Sequence, residues 1–164
     1  MIVRAQRWAA VLTAAAAAIA VAGLGALMTD VGTWYVQLRQ PPWKPPDWLF
    51  GPAWTLIFSL TAAAGVLAWE SAPTRNARVW LIGAFALNGL LNVLWSLLFF
   101  RLRRPDWALF EVGLLWLSIV LLIALAGRHT RRAGWLLLPY LVWVSFAAAL
   151  NIAIVGLNGP FGAP

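Results

Sequence analysis

Val79-Trp-Leu-Ile-Gly-Ala-Phe-Ala-Leu-Asn88-Gly-Leu-Leu-Asn92-Val-Leu-Trp95-Ser-Leu-Leu-Phe-Phe100 carries no charged side chain. A span needs about 20 apolar residues, because roughly 30 Å of hydrocarbon is crossed at about 1.5 Å per residue. This run satisfies that length, and it is apolar all round rather than along one stripe. A surface helix of a soluble bundle would show the stripe. Strands of a membrane barrel would alternate in short segments, and this run does not.

Four more runs read the same way: Trp8–Met28, Trp48–Trp69, Trp107–Ala126 and Gly134–Leu157. The sequence therefore predicts an all-α membrane protein, a five-transmembrane-helix bundle forming one domain over residues 1–164. The 164-residue chain is 63% hydrophobic and 10% charged. Soluble domains carry about 25% charged residues. A small water-soluble fold cannot hide so much apolar surface. Arg4 and Arg7 precede an alanine-rich stretch, as in a signal peptide. The run is longer than a signal core, and Trp8 sits at its edge like an interface anchor, so it reads as a retained span.

Short connections between the later runs force neighbouring helices antiparallel. The first connection, residues 29–47, is longer and holds Trp34, Tyr35 and Trp43 with Pro41, Pro42, Pro45 and Pro46. Proline fixes φ and removes donors, so this loop should be a stiff lid on one face. Arg4, Arg7, Arg75, Arg78, Arg128, Arg131 and Arg132 fall on the N-terminal side. Arg39, Lys44, Arg101, Arg103 and Arg104 fall on the other. The bias predicts a cytoplasmic N-terminus. The net charge of +7 accordingly reads as anchoring to anionic headgroups, not as a nucleic-acid surface.

With no cysteine and one histidine, His129 in a basic loop, neither a disulfide nor a metal site is expected. Asp30, Asp47, Glu70 and Asp106 lie at span ends or in loops, and Glu111 is expected to snorkel toward Arg103 and Arg104. No carboxylate pair, nucleophile–base pair or phosphate loop points to hydrolytic chemistry. An ion-coupled transporter would want a deep acid, and none stands out.

The polar residues inside the spans are the informative ones. Asn88 and Asn151 read as helix–helix glue. Asn92 and Trp95 share a helix face and read as a site. Gly83, Ala86 and Gly89 permit close helix contact or dimerisation. Trp8, Trp48, Trp69, Trp80, Trp107 and Trp135 suit an interfacial belt. Trp54, Trp95, Trp116 and Trp143 lie deeper, where an indole needs an N–H partner or a flat ligand.

Several motifs resemble the TspO/MBR family, which includes bacterial tryptophan-rich sensory proteins and the mitochondrial translocator protein. They are Trp34-Tyr35, Gln40-Pro-Pro-Trp-Lys-Pro-Pro46, Gly51-Pro-Ala-Trp54-Thr, Asn88 through Asn92-Val-Leu-Trp95-Ser, and Leu138-Pro-Tyr-Leu-Val-Trp143 through Leu150-Asn151. The resemblance implies a homodimeric five-helix bundle that binds protoporphyrin IX or heme beneath the first loop, with no required cofactor. By position it assigns the pocket to Tyr35, Pro45, Trp54, Phe58, Asn92, Trp95, Trp143, Ala147 and Leu150. Trp54 and Trp143 match tryptophans linked in some members to light-dependent breakdown of protoporphyrin, which makes a photochemical enzyme the alternative to a sensor, regulator or transporter. The stretch from Asn151 to Gly159 lacks the aromatic and basic residues proposed for sterol recognition in animal members, so sterol binding is not expected.

Overall fold

The computed structural model describes residues 2–161, with side chains from residue 7 onward; the Arg4 side chain of the charge argument lies outside this range. The long helices are α1 (Ile2–Met28), α3 (Phe50–Ser71), α4 (Arg75–Ser96), α5 (Pro105–His129) and α6 (Arg131–Asn158). A short helix, α2 (Thr33–Gln37), lies within the first connection. Five helices are long and apolar enough to cross a membrane, and no strand occurs among the described residues. The expected all-α bundle is therefore the observed one.

Helix ends follow local chemistry. A 3₁₀ turn, Asp47–Leu49, leads into α3. Thr74 caps α4 by accepting from the Ala77 N–H at 3.2 Å, satisfying a donor the helix start leaves free. Pro105 opens α5, where a missing N–H costs nothing. Only Thr130 separates α5 from α6. Helices α1, α5 and α6 run further than their apolar runs, because polar residues continue the helix into the interface, whereas α3 and α4 match theirs in length with the ends shifted.

Around the bundle the helices follow the order α1, α3, α6, α5, α4, with α4 returning to α1. The apolar interior is layered. Ala64, Ala68, Leu122 and Leu137 pack at the end bearing the α3–α4 turn. Ile57, Leu115, Ile119, Tyr140 and Val144 fill the middle. Tyr35, Leu38, Phe99 and Leu150 close the lid end. Gly127 and Gly134 let the α5–α6 hairpin close tightly: a Cβ on Gly134 would lie 3.3 Å from the Gly127 Cα. Gly89 receives Val21 of α1 in the same manner, its virtual Cβ 2.9 Å from the Val21 side chain. Gly83 meets no neighbour within 4 Å.

Two contacts fix which ends lie together. Arg7 near the start of α1 pairs with Glu70 at the end of α3 at 3.1 Å. At the opposite end, the Asn158 side chain accepts from the Arg39 N–H (2.7 Å) and donates to the Arg39 carbonyl (3.0 Å). The first connection and the C-terminal end of α6 thus share one face.

Candidate ligand-binding site

The first connection is more structured than a proline-rich loop. Tyr35 and Leu38, on and just after α2, are buried, and the Tyr35 ring packs on Phe100 at 5.5 Å. Pro41 is buried as well and accepts from the Lys44 N–H at 3.0 Å. The Lys44 ammonium pairs with Asp47 and lies 5.4 Å from the Tyr35 ring centroid. Burial pushes the Tyr35 hydroxyl above its ordinary range, and Lys44 works against that shift. Pro45 is half-buried in the same segment. Buried anchors, an ion pair and the Asn158 clasp hold the segment in place.

Beneath it lie aromatic rings in two groups. Trp43 meets Phe146 edge-on at 5.8 Å. Phe146 leans on Trp143 at 5.7 Å, and Trp143 contacts Phe50 at 5.5 Å. Trp54 stacks on Phe58 at 5.3 Å and meets Trp143 edge to face at 6.4 Å. Trp54 and Trp143 are therefore neighbours in contact. On the α4 side, Trp95 stacks on Phe99 at 5.2 Å and meets Phe100 at 6.0 Å. Trp34 joins this second arm through Phe99 at 6.4 Å.

The α4 arm grows from irregular helix. Residues Leu97–Arg101 form a π-helical turn closed by a bond of 2.8 Å from the Leu102 N–H to the Leu97 carbonyl. Such turns occur often at functional sites. Arg103 follows at φ 55, a left-handed conformation that costs a non-glycine residue roughly 1–2 kcal/mol.

Tyr140 joins the two arms. Its ring packs edge-on against Trp54 at 6.1 Å, and its hydroxyl accepts from the Asn92 amide at 3.0 Å. Asn88 donates to Ser118 at 2.8 Å, which is the gluing role expected of it. In the orientation that satisfies both ends of its amide, Asn151 donates to the Pro105 carbonyl (3.0 Å) and accepts from the Leu109 N–H (3.2 Å), clasping the first turn of α5. Ala147 is half-buried one residue beyond Phe146, and Leu150 is buried in the lid-end layer.

Of the residues expected at the site, Trp54, Phe58 and Trp143 form one contact group, with Asn92 joined through Tyr140. Tyr35 and Trp95 meet through Phe100. Phe50, Phe99, Tyr140 and Phe146 belong to the layer but were not singled out from sequence. Tyr140 and Phe146 each lie three residues from Trp143, a spacing that shares a helix face and could have marked them. Trp116 does not join: it faces outward, and its N–H is satisfied by Ser145 at 2.8 Å. The belt tryptophans do lie at the surface, and two carry guanidinium partners, Arg104 over Trp107 at 4.1 Å and Arg78 over Trp69 at 5.1 Å. Glu111 overturns the snorkelling expectation. It is buried, facing other helices instead of the headgroups.

Among the described residues, no group of His, Cys, Asp and Glu could hold a metal ion. What the layer offers is flat aromatic surface with a few buried polar groups, the usual make-up of a small-molecule site.

The sequence profile of the TspO/MBR family matches residues 10–157. The chain is 42% identical to the tryptophan-rich protein TspO of Archaeoglobus fulgidus over 144 residues, covering 87% of this chain and 92% of that one. It is 43% identical to the tryptophan-rich protein TspO of Chlorobaculum tepidum over 129 residues, 76% and 79% of the two chains. Against the translocator protein of Ovis aries the identity is 37% over 120 residues, 72% and 70% of the two chains.

Proposed function

The chain belongs to the TspO/MBR family and is a multi-pass integral membrane protein, and on that premise we propose that it binds tetrapyrroles such as protoporphyrin IX or heme beneath the lid, in sensing, regulation or transport. The observation that carries this reading is the aromatic layer under the clasped lid: Trp54, Phe58, Phe50, Trp143 and Phe146 in ring contact, with Trp43 of the lid above. Flat faces suit a planar macrocycle, and offset or edge contacts each add about 0.5–1.5 kcal/mol beyond burial. The proposal places the protein in a bacterial cell membrane with a cytoplasmic N-terminus, as a homodimer. The test is an absorbance titration of the purified protein with protoporphyrin IX in the dark. Saturable binding supports the reading, and an unshifted Soret band at every ratio removes it.

One observation favours a second reading, light-dependent degradation of protoporphyrin. The edge-to-face contact of Trp54 with Trp143 at 6.4 Å puts two oxidisable indoles side by side. The bound pigment would absorb the light and take an electron from an indole, becoming the reduced partner and leaving an indole radical cation that the neighbouring ring can share. Illumination after the dark titration separates the readings: bleaching with new products supports the enzyme, and stable absorbance supports a binding protein.

A further inference from the structure

Glu111 is a buried acid for which the aromatic layer gives no account. It retains 5% exposure, and neither carboxyl oxygen meets a donor among the described residues. The helix offered an alternative, since the adjacent Phe110 faces outward at 82% exposure. A carboxyl group without partners inside a membrane bundle is expensive, and intramembrane acids of this kind mark functional positions.

Its place in the bundle says what it could meet. The Asn88–Ser118 hydrogen bond sets the register between antiparallel α4 and α5. Two turns toward the lid along each helix bring Trp95 level with Glu111. The Trp95 indole N–H is also buried and has no acceptor among the described residues. Tyr140, which accepts from Asn92, packs against Trp54, and Trp95 packs against the same buried cluster as Tyr140 and Val112, the residue next to Glu111. An unmet acceptor and an unmet donor therefore sit at one depth, beside the aromatic layer.

We infer that Glu111 and the Trp95 indole N–H form the polar anchor of the site, the carboxyl accepting from a ligand N–H while the indole donates to a ligand nitrogen. The inference rests on the tetrapyrrole reading, because a free-base tetrapyrrole presents both N–H donors and bare nitrogen acceptors in one ring. Glu111 is then a ligand-binding residue whose cost to the empty bundle is offset when the ligand arrives.

The two halves of this statement predict opposite signs, which a merely structural carboxyl would not give. E111L has similar bulk and removes the unpartnered group, so the ligand-free variant should melt at a higher temperature than the wild type. The same variant should lose about tenfold or more in dark affinity for protoporphyrin IX, the size expected when a hydrogen bond to a buried carboxyl group is removed. E111Q keeps an acceptor oxygen and should lose less. W95F keeps an aromatic face and removes the indole donor, so it should weaken binding as well. The experiment is a dark absorbance titration of the whole chain with protoporphyrin IX, beside thermal unfolding without ligand. Wild-type affinity in E111L overturns the inference and leaves the tetrapyrrole reading standing. A lower melting temperature in ligand-free E111L also overturns it, since the carboxyl would then be satisfied within the fold. Failure of the wild type to bind protoporphyrin IX removes both.

Discussion

The ring centroids of Trp54 and Trp143 lie 6.4 Å apart in an edge-to-face pair, and what each ring does can be separated by changing one property at a time. Phenylalanine keeps an aromatic face and is much harder to oxidise than indole. Trp54→Phe or Trp143→Phe should weaken dark binding of protoporphyrin IX by roughly two- to tenfold, the stacking scale. The pair together should abolish any light-dependent bleaching. Undiminished bleaching in the double variant would remove the photochemical reading. Asn92 behaves differently because its amide donates to the buried Tyr140 hydroxyl. Asn92→Leu leaves that hydroxyl short of a partner, so it should lower stability by about 1–3 kcal/mol in thermal unfolding and alter affinity more than bleaching. These roles were only half legible in the sequence. The depth of each tryptophan followed from its distance to the span ends. Which way it faced did not, because lipid is as apolar as a protein core and leaves no polar stripe to mark the outside. Trp116 and Trp143 look alike in sequence, yet one faces outward and the other joins the site. Glu111 was misread for a related reason: nearness to arginines in sequence does not say which face of α5 it occupies.

The lid is an element held at a few points, and each can be released. Asn158 clasps Arg39 through two hydrogen bonds of 2.7 and 3.0 Å. Asn158→Ala removes both, and at about 0.5–1.5 kcal/mol each ligand dissociation should speed up by roughly an order of magnitude. Replacing Pro41, Pro42, Pro45 and Pro46 with glycine enlarges the set of open conformations and should act in the same direction, with association slowed less than dissociation is accelerated. Stopped-flow release of protoporphyrin IX checks both, and unchanged off-rates would mean the segment is no gate. A proline-rich connection between the first two spans was readable from the sequence. The helix Thr33–Gln37 and the Arg39–Asn158 clasp were not, since the clasp joins residues 119 apart. At the far end, Gly134 faces Gly127 so closely that an added Cβ would stand 3.3 Å away. Gly134→Leu should force the α5–α6 hairpin apart, costing about 1–3 kcal/mol. Differential scanning fluorimetry reads this, and an unshifted melting temperature would contradict the close approach.

Across the whole molecule, five spanning helices put the start of α1 and the C-terminal end of α6 on opposite faces, with Arg7–Glu70 at one end and Arg39–Asn158 at the other. Tags on the two termini should therefore differ in accessibility in sealed vesicles, and equal labelling would contradict the odd span count. This level was the most legible in sequence, because span length is set by bilayer thickness and needs no knowledge of which helix faces which. The order α1, α3, α6, α5, α4 was not legible, and that order is what gathers α3, α4 and α6 around one aromatic layer. The central claim is that this layer is where a tetrapyrrole binds. Ala147 is half-buried on α6, one residue after Phe146 and one turn from Trp143, so Ala147→Trp should push bulk against the layer while leaving its aromatic side chains in place. Dark titration with protoporphyrin IX, wild type against Ala147→Trp, is the most direct measurement. The account predicts saturable binding by the wild type and a loss of about tenfold or more in the variant, with its helical signal retained; equal binding by both proteins would contradict it.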